Sequence, residues 1–373
     1  MPKERPGREA GLPINPALEE LPVYQPGRPI EETARDLGLD PDSILKAASN
    51  ENPLGPSPKA IEAMRSAASR ANFYPDGNAF YLKRRLAEKL GLQPENLIFG
   101  NGSNELIEFV GHALISPGAE TVVAQYCFAI YPIVTLLFGG KPVVVPARDF
   151  GHDIPRMLEA IGPKTTAVFV ANPNNPTGTL APKEEIVRLI EEAPENVLVV
   201  IDEAYYEYLE EPIDLLPYVR EGKRNLLLMR TFSKIYGLAG LRLGYGIACP
   251  ELIGWLNKIR QPFNANAMAQ AAALAALDDE EHVEKSRRVN REGLAFFHNA
   301  LAERGIDFVR SVGNFVLVRV GDGRRVFEAM QKRGVIVRPM DGYGLPEWIR
   351  ISIGLPEQNR RSLQVLEEAL AEA

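Results

Sequence analysis

Cysteine and histidine are scarce in this chain of 373 residues, which has two cysteines and four histidines. Cys127 and Cys249 provide no disulfide framework and no zinc-binding spacing, and so few cysteines are typical of a reducing compartment. The histidines, at positions 112, 152, 282 and 298, form no HxxH or HExxH pattern. We therefore expect no metal site and a cytoplasmic protein.

Long apolar runs and an excess of positive charge are also missing. No stretch of about 18 apolar residues occurs, and the first segment, "MPKERPGREAGLPINPALEE", is rich in proline and charge. We expect neither a membrane span nor a signal peptide. The formal net charge of −7 argues against a general nucleic-acid surface. The chain also has no GxGxxG motif and no Walker lysine, so no dinucleotide or P-loop site is predicted.

What the chain does have is an alternation of strand-like and helical patterns from about residue 55 to 275. The runs "TTAVFVAN" and "NVLVVIDEA" are continuously apolar, as strands buried on both faces of a parallel sheet are. This alternation predicts a doubly wound α/β domain, and the long helical pattern after about 275, followed by strands, predicts a smaller α+β domain. We expect an N-terminal arm that also joins the small domain (1–45), a large domain (46–275) and a small domain (276–373).

Polar residues follow several of the predicted strands, where ligands of doubly wound sheets bind. Asp202 comes directly after "NVLVVI", and Tyr205 follows three residues later. Asn175 lies in the proline-rich turn "ANPNNPTGT". Each also has an ordinary interpretation, since Asp202 could cap a helix and Asn175 could sit in a simple turn.

The stretch "TFSKIYGLAGLRLGY", Thr231 to Tyr245, gathers hydroxyls, an amine and a guanidinium beside glycines. Thr231, Ser233 and Arg242 can bind a phosphate group. Lys234 can form a Schiff base with a carbonyl compound. An isolated lysine in a turn would more often be an exposed surface residue, but this one belongs to a set.

One ligand would use the whole set, because pyridoxal 5′-phosphate has a phosphate, an aldehyde, a basic ring nitrogen and a ring hydroxyl. Gly102, Ser103 and Asn104 open a helix after "NLIFG", where backbone N–H groups can bind phosphate or simply start the helix. Phe128 could stack on the ring or be a core aromatic. The sequence thus predicts a pyridoxal-phosphate site.

The chain resembles the fold-type I pyridoxal-phosphate aminotransferases from about "SNENPLGPSP" to its C-terminus. The matching pieces, in order, are "YPDGNAFYLKRRLA", "GNGSNELIE", "ANPNNPTGT", "IDEAYYEY", "RTFSKIYGLAGLRLGY" and "WIRISIG". The resemblance implies a large domain with a mainly parallel sheet, a smaller α+β domain, and a homodimer with shared active sites. The ring-facing loop departs from the proline and tyrosine that the family often has, and Phe128 is the residue expected to stack there.

The resemblance also implies roles for individual residues. The catalytic ones are Lys234 as the Schiff-base lysine, Asp202 on the pyridinium nitrogen and Tyr205 on the ring oxygen. The other cofactor-binding residues are Asn175, Phe128, Gly102, Ser103, Asn104, Thr231, Ser233, Arg242 and, from the neighbouring subunit, Tyr74. The substrate-binding residues are Tyr24, Asn52, Arg338 and Arg350.

Within this family the chain is similar to the branch that acts on histidinol phosphate. That similarity implies transfer of an amino group from histidinol phosphate to 2-oxoglutarate, giving imidazole acetol phosphate and glutamate in histidine biosynthesis. The segments "VIVRPM" and "WIRISIG" look like neighbouring strands that each supply one arginine, and two arginines together suit a dianionic phosphate. An aromatic-amino-acid aminotransferase, a phosphothreonine decarboxylase and a regulator that binds the cofactor without turnover stay open as alternatives.

Overall fold

The computed structural model describes residues 14, 16–19, 21 and 29–372. Tyr24 lies outside the described residues, so its predicted contact with substrate stays a prediction. The strands, in chain order, are β1 (Leu45–Lys46), β2 (Leu97–Gly100), β3 (Glu120–Ala124), β4 (Lys141–Val145), β5 (Thr165–Ala171), β6 (Leu198–Asp202), β7 (Leu226–Thr231), β8 (Gly244–Ala248), β9 (Phe308–Val309), β10 (Phe315–Arg319), β11 (Val335–Ile336), β12 (Arg338–Pro339) and β13 (Trp348–Ser352).

Helices connect and cover these strands. They are α1 (Ile30–Leu37), α2 (Pro58–Ala68), α3 (Phe80–Leu90), α4 (Ser103–Leu114), α5 (Ile130–Leu137), α6 (Ile154–Glu159), α7 (Lys183–Glu192), α8 (Leu216–Arg220), α9 (Pro250–Ile259), α10 (Ala267–Leu277), α11 (Glu280–Glu303), α12 (Gly323–Lys332) and α13 (Pro356–Ala371). In the part of the chain that is described, no helix combines the length and the apolar character needed to cross a membrane.

A seven-stranded sheet with the order β2-β8-β7-β6-β5-β3-β4 forms the centre of the larger part of the protein. The strands from β3 to β7 run parallel to one another. β8 is antiparallel to both of its neighbours, β7 and β2. Strands β6 and β7 are buried along their whole length, as their continuous apolar sequences predict. The predicted mainly parallel α/β fold is confirmed.

A second hydrophobic cluster forms around a smaller antiparallel sheet with the order β12-β13-β10-β9. Helix α11 takes part in both cores, since Val283 packs against the first cluster and Phe297 lies in the second. β1 pairs in parallel with β11, and Ala47 belongs to the second cluster. The segment just before the large sheet therefore packs with the C-terminal part, while the domain limits proposed from the sequence stay a prediction.

Candidate active site

A cavity of about 420 Å³ lies where β6 and β7 end and α4 begins. Its lining contains side chains that are far apart in the chain and that we predicted to form one site. The predicted site residues that line it are Ser103, Asn104, Phe128, Asn175, Asp202, Tyr205, Thr231, Ser233, Lys234, Arg242, Arg338 and Arg350. Twelve residues predicted from strand ends and resemblance thus share one cavity, although their individual roles stay predictions.

Three other predicted residues lie outside the lining. The Asn52 amide donates to the backbone oxygen of Ile235 (2.7 Å) and to Ser286 Oγ (2.9 Å), so it serves the local structure. Gly102 precedes α4 with φ 79°, and a Cβ there would lie only 2.2 Å from Arg242 Nη2. Tyr74 is 82% exposed and stacks on Phe263 beside a separate groove.

Asp202 is the last residue of β6 and is buried. Its Oδ2 accepts a hydrogen bond from the Tyr131 hydroxyl (2.8 Å), and its Oδ1 accepts one from the backbone N–H of Ala204 (3.1 Å). Burial raises the pKa of Asp202 to about 6, while these two hydrogen bonds and the charge of Lys234 act in the opposite direction. A buried carboxylate of this kind is suited to pair with a positively charged ring nitrogen.

Tyr131 is a functional candidate that the sequence did not reveal. Its ring is fully buried and stacks on Phe169 at 5.0 Å, with Phe128 packed edge-on at 5.7 Å. Burial, with the nearby Asp202, raises the pKa of Tyr131 far above its usual value, so its hydroxyl stays a hydrogen-bond donor. A hydroxyl-bearing aromatic inside the apolar run "CFAIYPIV" was the available signal, since a buried tyrosine usually needs a partner for its hydroxyl.

Lys234 lies in the loop after β7, half-buried in the cavity. Its Nζ donates to the backbone oxygen of Ser49 (3.3 Å) and lies 5.6 Å from the Tyr205 ring centre. Burial lowers the pKa of Lys234 to about 8, and the charges of Arg350 and Arg242 lower it too, against those of Glu51 and Asp202. A substantial neutral fraction near pH 8 makes this amine a good nucleophile and proton carrier.

Tyr205 and Asn175 lie near the two small-domain arginines. The Tyr205 hydroxyl accepts a hydrogen bond from the Asn50 amide (3.0 Å), and burial raises the pKa of Tyr205 to about 12. Arg350 donates from Nη1 to Asn175 Oδ1 (2.5 Å) and from Nη2 to the backbone oxygen of Ala48. Arg338 and Arg350 are direct cross-strand partners on β12 and β13, so they face the cavity together, as the predicted neighbouring strands require.

A second group of residues in the cavity lining is suited to bind an anion. Ser103 and Asn104 form the first turn of α4, where free backbone N–H groups and the helix dipole favour negative charge. Ser233 and Arg242 approach from the β7–β8 connection. Gly244, where β8 begins, is so close to α4 that a Cβ would lie 2.4 Å from the backbone nitrogen of Ser103. These donors fit a phosphate group.

The whole donor set fits pyridoxal phosphate. Phosphate donors occupy one end, the Asp202 carboxylate can meet a ring nitrogen, Tyr205 and Asn175 can meet a ring oxygen, and the Lys234 amine lines the same cavity. Among the described residues, no three side chains of His, Cys, Asp or Glu are grouped closely enough to hold a metal ion. The chemistry that these groups support is that of an amine and a carbonyl compound.

Comparisons with known proteins agree with this geometry. The model of the family "Aminotransferase class I and II" matches residues 42–366. The chain is 53% identical to a histidinol-phosphate aminotransferase of Akkermansia muciniphila over 357 residues, which cover 95% of this chain and 98% of that protein. It is 48% identical to histidinol-phosphate aminotransferase 1 of Nitrosococcus oceani over 359 residues, 95% of this chain and 96% of that protein.

A solved structure is similar along the whole chain. It is the crystal structure of histidinol-phosphate aminotransferase from Sinorhizobium meliloti in complex with pyridoxal-5′-phosphate. The two folds superpose with a TM-score of 0.87 at 30% sequence identity, over 98% of this chain and all of that one.

Proposed function

The chain belongs to the class I and II aminotransferase family, and on that premise we propose that it transfers the amino group of histidinol phosphate to 2-oxoglutarate with pyridoxal phosphate as cofactor. The family and the enzyme class predicted from the sequence are confirmed. The observation that supports this choice of substrate is the pair of arginines, Arg338 and Arg350. They are cross-strand neighbours on β12 and β13, and both line the cavity that contains Lys234.

When bound, pyridoxal phosphate supplies an electron sink for the charge left on the substrate α-carbon after its proton is removed. Lys234, with its pKa lowered to about 8, takes that proton and returns it as general base and then general acid. Asp202 holds the proton on the ring nitrogen by its negative charge. Tyr205, whose pKa is about 12, keeps its proton and donates toward the ring oxygen.

The substrate is expected to bind at Arg338 and Arg350, which line the same cavity as Lys234. Two guanidinium groups side by side can pair with both negative charges of a phosphate monoester, and one is enough for the carboxylate of glutamate. An aromatic amino acid needs no second cation. The same pair can therefore bind the phosphate of histidinol phosphate and one carboxylate of glutamate.

The substrate proposal is tested with a panel of donors. Arg338→Ala is expected to lower kcat/KM for histidinol phosphate about ten- to a hundredfold, because each charge-assisted contact contributes roughly 1.5–3 kcal/mol, and to lower that for glutamate less. Steady-state rates with histidinol phosphate, glutamate, phenylalanine, tyrosine and phosphothreonine give the comparison. The control is Arg319→Ala, which removes a surface arginine paired with Asp307 and Glu347.

Three results would count against this substrate. Wild-type preference for phenylalanine would favour the aromatic aminotransferase, and loss of carbon dioxide from phosphothreonine would favour the decarboxylase. The absence of turnover with every donor would favour a regulatory protein.

Tyr131→Phe tests the support given to Asp202. Because the Tyr131 hydrogen bond lowers the pKa of Asp202, its loss should raise that pKa. The carboxylate would then become protonated at a higher pH, and the acidic limb of kcat/KM should move up by about one pH unit. The measurement is the pH profile of kcat/KM. Tyr218→Phe removes a surface hydroxyl that bonds Glu191 at the same 2.8 Å and should leave the profile unchanged, whereas matching profiles for all three proteins would exclude this role for Tyr131.

We also propose that the enzyme is a homodimer. Large apolar side chains are exposed around the α2–α3 connection and α10, namely Phe73, Tyr74, Phe80, Tyr81, Phe263 and Met268. An exposed apolar patch of this kind is typical of a protein interface, and a second copy of the chain would let Tyr74 reach the neighbouring phosphate site.

Sedimentation at assay concentration is expected to give twice the chain mass of 41.2 kDa. Tyr74→Phe should weaken cofactor retention in equilibrium dialysis while the dimer persists. Tyr81→Phe, a change on the same surface, should leave retention unaltered. A fully active monomer would exclude shared sites.

A cytoplasmic location is part of the proposal. Cys127 and Cys249 are both free thiols and buried, which suits a reducing compartment.

A further inference from the structure

Glu51 is a carboxylate in the active-site cavity that the proposed reaction does not use. The charged residues that line this cavity are Glu51, Asp202, Lys234, Arg242, Arg338 and Arg350. Asp202, Lys234 and Arg242 are committed to the cofactor, and the two small-domain arginines are committed to anionic groups of the substrate. Glu51 therefore adds a negative charge to a pocket that otherwise binds anions.

The backbone at Glu51 is held firmly. The Asn314 amide donates to the backbone oxygen of Asn50 (2.9 Å), and the Asn50 amide in turn donates to the Tyr205 hydroxyl (3.0 Å). Asn50 is buried and its backbone is left-handed, with φ 55°. These contacts fix the start of the Glu51 side chain beside the ring-oxygen end of the cofactor site.

One of the two carboxylate oxygens of Glu51 is hydrogen-bonded. Its Oε1 accepts a hydrogen bond from Lys46 Nζ at 2.7 Å, and 44% of the side chain is exposed. None of the described residues forms a hydrogen bond with Oε2. The charge of Glu51 acts on the reactive amine as well, since it raises the pKa of Lys234. Glu51 and Lys234 line the same cavity, so the carboxylate is accessible to a donor bound there.

Histidinol phosphate and glutamate are the amino donors of the forward and the reverse direction of the proposed reaction, and they differ at the group that such a carboxylate would detect. Histidinol phosphate has an imidazole ring, whose N–H groups are hydrogen-bond donors and whose usual pKa lies near 6.5. Glutamate has a second carboxylate in place of the ring. A carboxylate attracts the first group and repels the second.

We propose that Glu51 recognises the donor by accepting a hydrogen bond from the imidazole ring of histidinol phosphate. This inference rests on the proposed function and deepens it. In this arrangement the two arginines bind the phosphate of the substrate, and Glu51 binds its imidazole ring.

Glu51→Gln tests the inference because glutamine keeps the shape and removes the charge. Single-turnover experiments give the second-order rate constant for the reaction of each donor with the cofactor-loaded enzyme. This constant is expected to fall about ten- to a hundredfold for histidinol phosphate, while that for glutamate stays level or rises. Lys46→Met is the matched control, since it removes the partner of Glu51 and keeps the carboxylate. This variant should retain the preference for histidinol phosphate.

Equilibrium binding separates recognition from catalysis. Two unreactive phosphate esters, one with an imidazole ring and one with a phenyl ring, are titrated into the cofactor-loaded dimer. Glu51→Gln should raise Kd for the imidazole ester about tenfold or more and leave the phenyl ester unchanged.

Each other outcome has a distinct meaning. If both donors lose the same factor, Glu51 contacts the shared amino group and the inference fails. If neither changes, or if Lys46→Met reproduces the effect, Glu51 is only a partner of Lys46 and the inference fails. Both results leave the proposed function intact, whereas wild-type protein that does not convert histidinol phosphate overturns the proposed function and the inference together.

Discussion

Replacing Lys234 with alanine is expected to leave a protein that still binds pyridoxal phosphate but turns over about 10²–10⁴-fold more slowly. The phosphate donors at the start of α4 and at Ser233 and Arg242 are independent of the lysine, so cofactor affinity should persist. The proton carrier is lost, because among the described residues that line the cavity only Lys234 has an amine side chain.

The measurement combines turnover with cofactor binding. Borohydride reduction of the wild type, followed by peptide mapping, should place the cofactor on Lys234, and the alanine variant should give no adduct. Lys258→Ala, which removes a surface lysine that packs on Trp255, is the control and should behave as wild type. An adduct on any other lysine would show that the active site has been assigned wrongly.

Replacing Asp202 with asparagine is expected to lower kcat by about 10²–10³-fold, similar to the loss of a major electrostatic group in other enzymes. The amide is nearly the same size, but it cannot hold a proton on the ring nitrogen by charge. The hydrogen bond from the Tyr131 hydroxyl can persist to the amide oxygen, whereas the amide nitrogen cannot accept the bond that the backbone N–H of Ala204 donates to Asp202.

The same substitution should not destabilise the cofactor-free protein. Burial raises the pKa of Asp202 from 3.8 to about 6, so the folded state disfavours the charged form. That cost is absent at low pH, develops as pH rises from about 4 to 6, and is complete at pH 7. Removing the charge at pH 7 relieves that cost, but it also removes the hydrogen bond from the backbone N–H of Ala204. These two effects oppose each other, so Tm of the cofactor-free protein should change little.

Activity and thermal unfolding together decide the role of Asp202. Low activity with unchanged Tm supports a role on the ring nitrogen, whereas low activity with a large loss of Tm would make Asp202 a structural acid. Asp153→Asn, at the start of α6, is the control. Near-wild-type turnover of Asp202→Asn would also rule out the assigned role.

Residues that directly follow strands in the sequence lie together in one cavity of the structure. Asp202 ends β6 and Lys234 follows β7, and a parallel sheet brings such positions to one edge. Arg338 and Arg350 were predicted for a similar reason, since apolar runs marked their strands. Local pattern was sufficient in these cases because the geometry of the sheet determines which side chains meet.

Residues whose partners are distant in sequence were missed. Tyr131 lies in an apolar run, and only the folded chain brings its hydroxyl to Asp202. Asn50 and Glu51 lie in the cavity, whereas the sequence pointed to Asn52 next to them. The sequence pattern does not show which of these three adjacent polar residues lines the cavity, because that depends on which side chain faces Tyr205 in the fold.

The antiparallel direction of β8 was not predicted either. An apolar strand has the same pattern in both directions, and direction is set by the length and path of its connections. The connection from β7 to β8 contains Lys234 and Arg242 and has no α-helix, whereas a crossover to a parallel strand usually contains one. The chain therefore turns back, and this turn brings Arg242 to the start of α4.

The position of β8 between β7 and β2 has a consequence for synthesis on the ribosome. β2 is an edge strand that ends at Gly100, and its neighbour in the sheet, β8, does not begin until Gly244. At roughly 5–20 residues per second, β2 waits on the order of ten seconds for its partner strand. During that time the apolar residues Leu97–Phe99 belong to an unpaired strand, which is open to wrong pairing with other nascent chains. The phosphate end of the site is completed only when β8 inserts, so a chain that stops before this strand would be both unable to hold the cofactor and prone to aggregate.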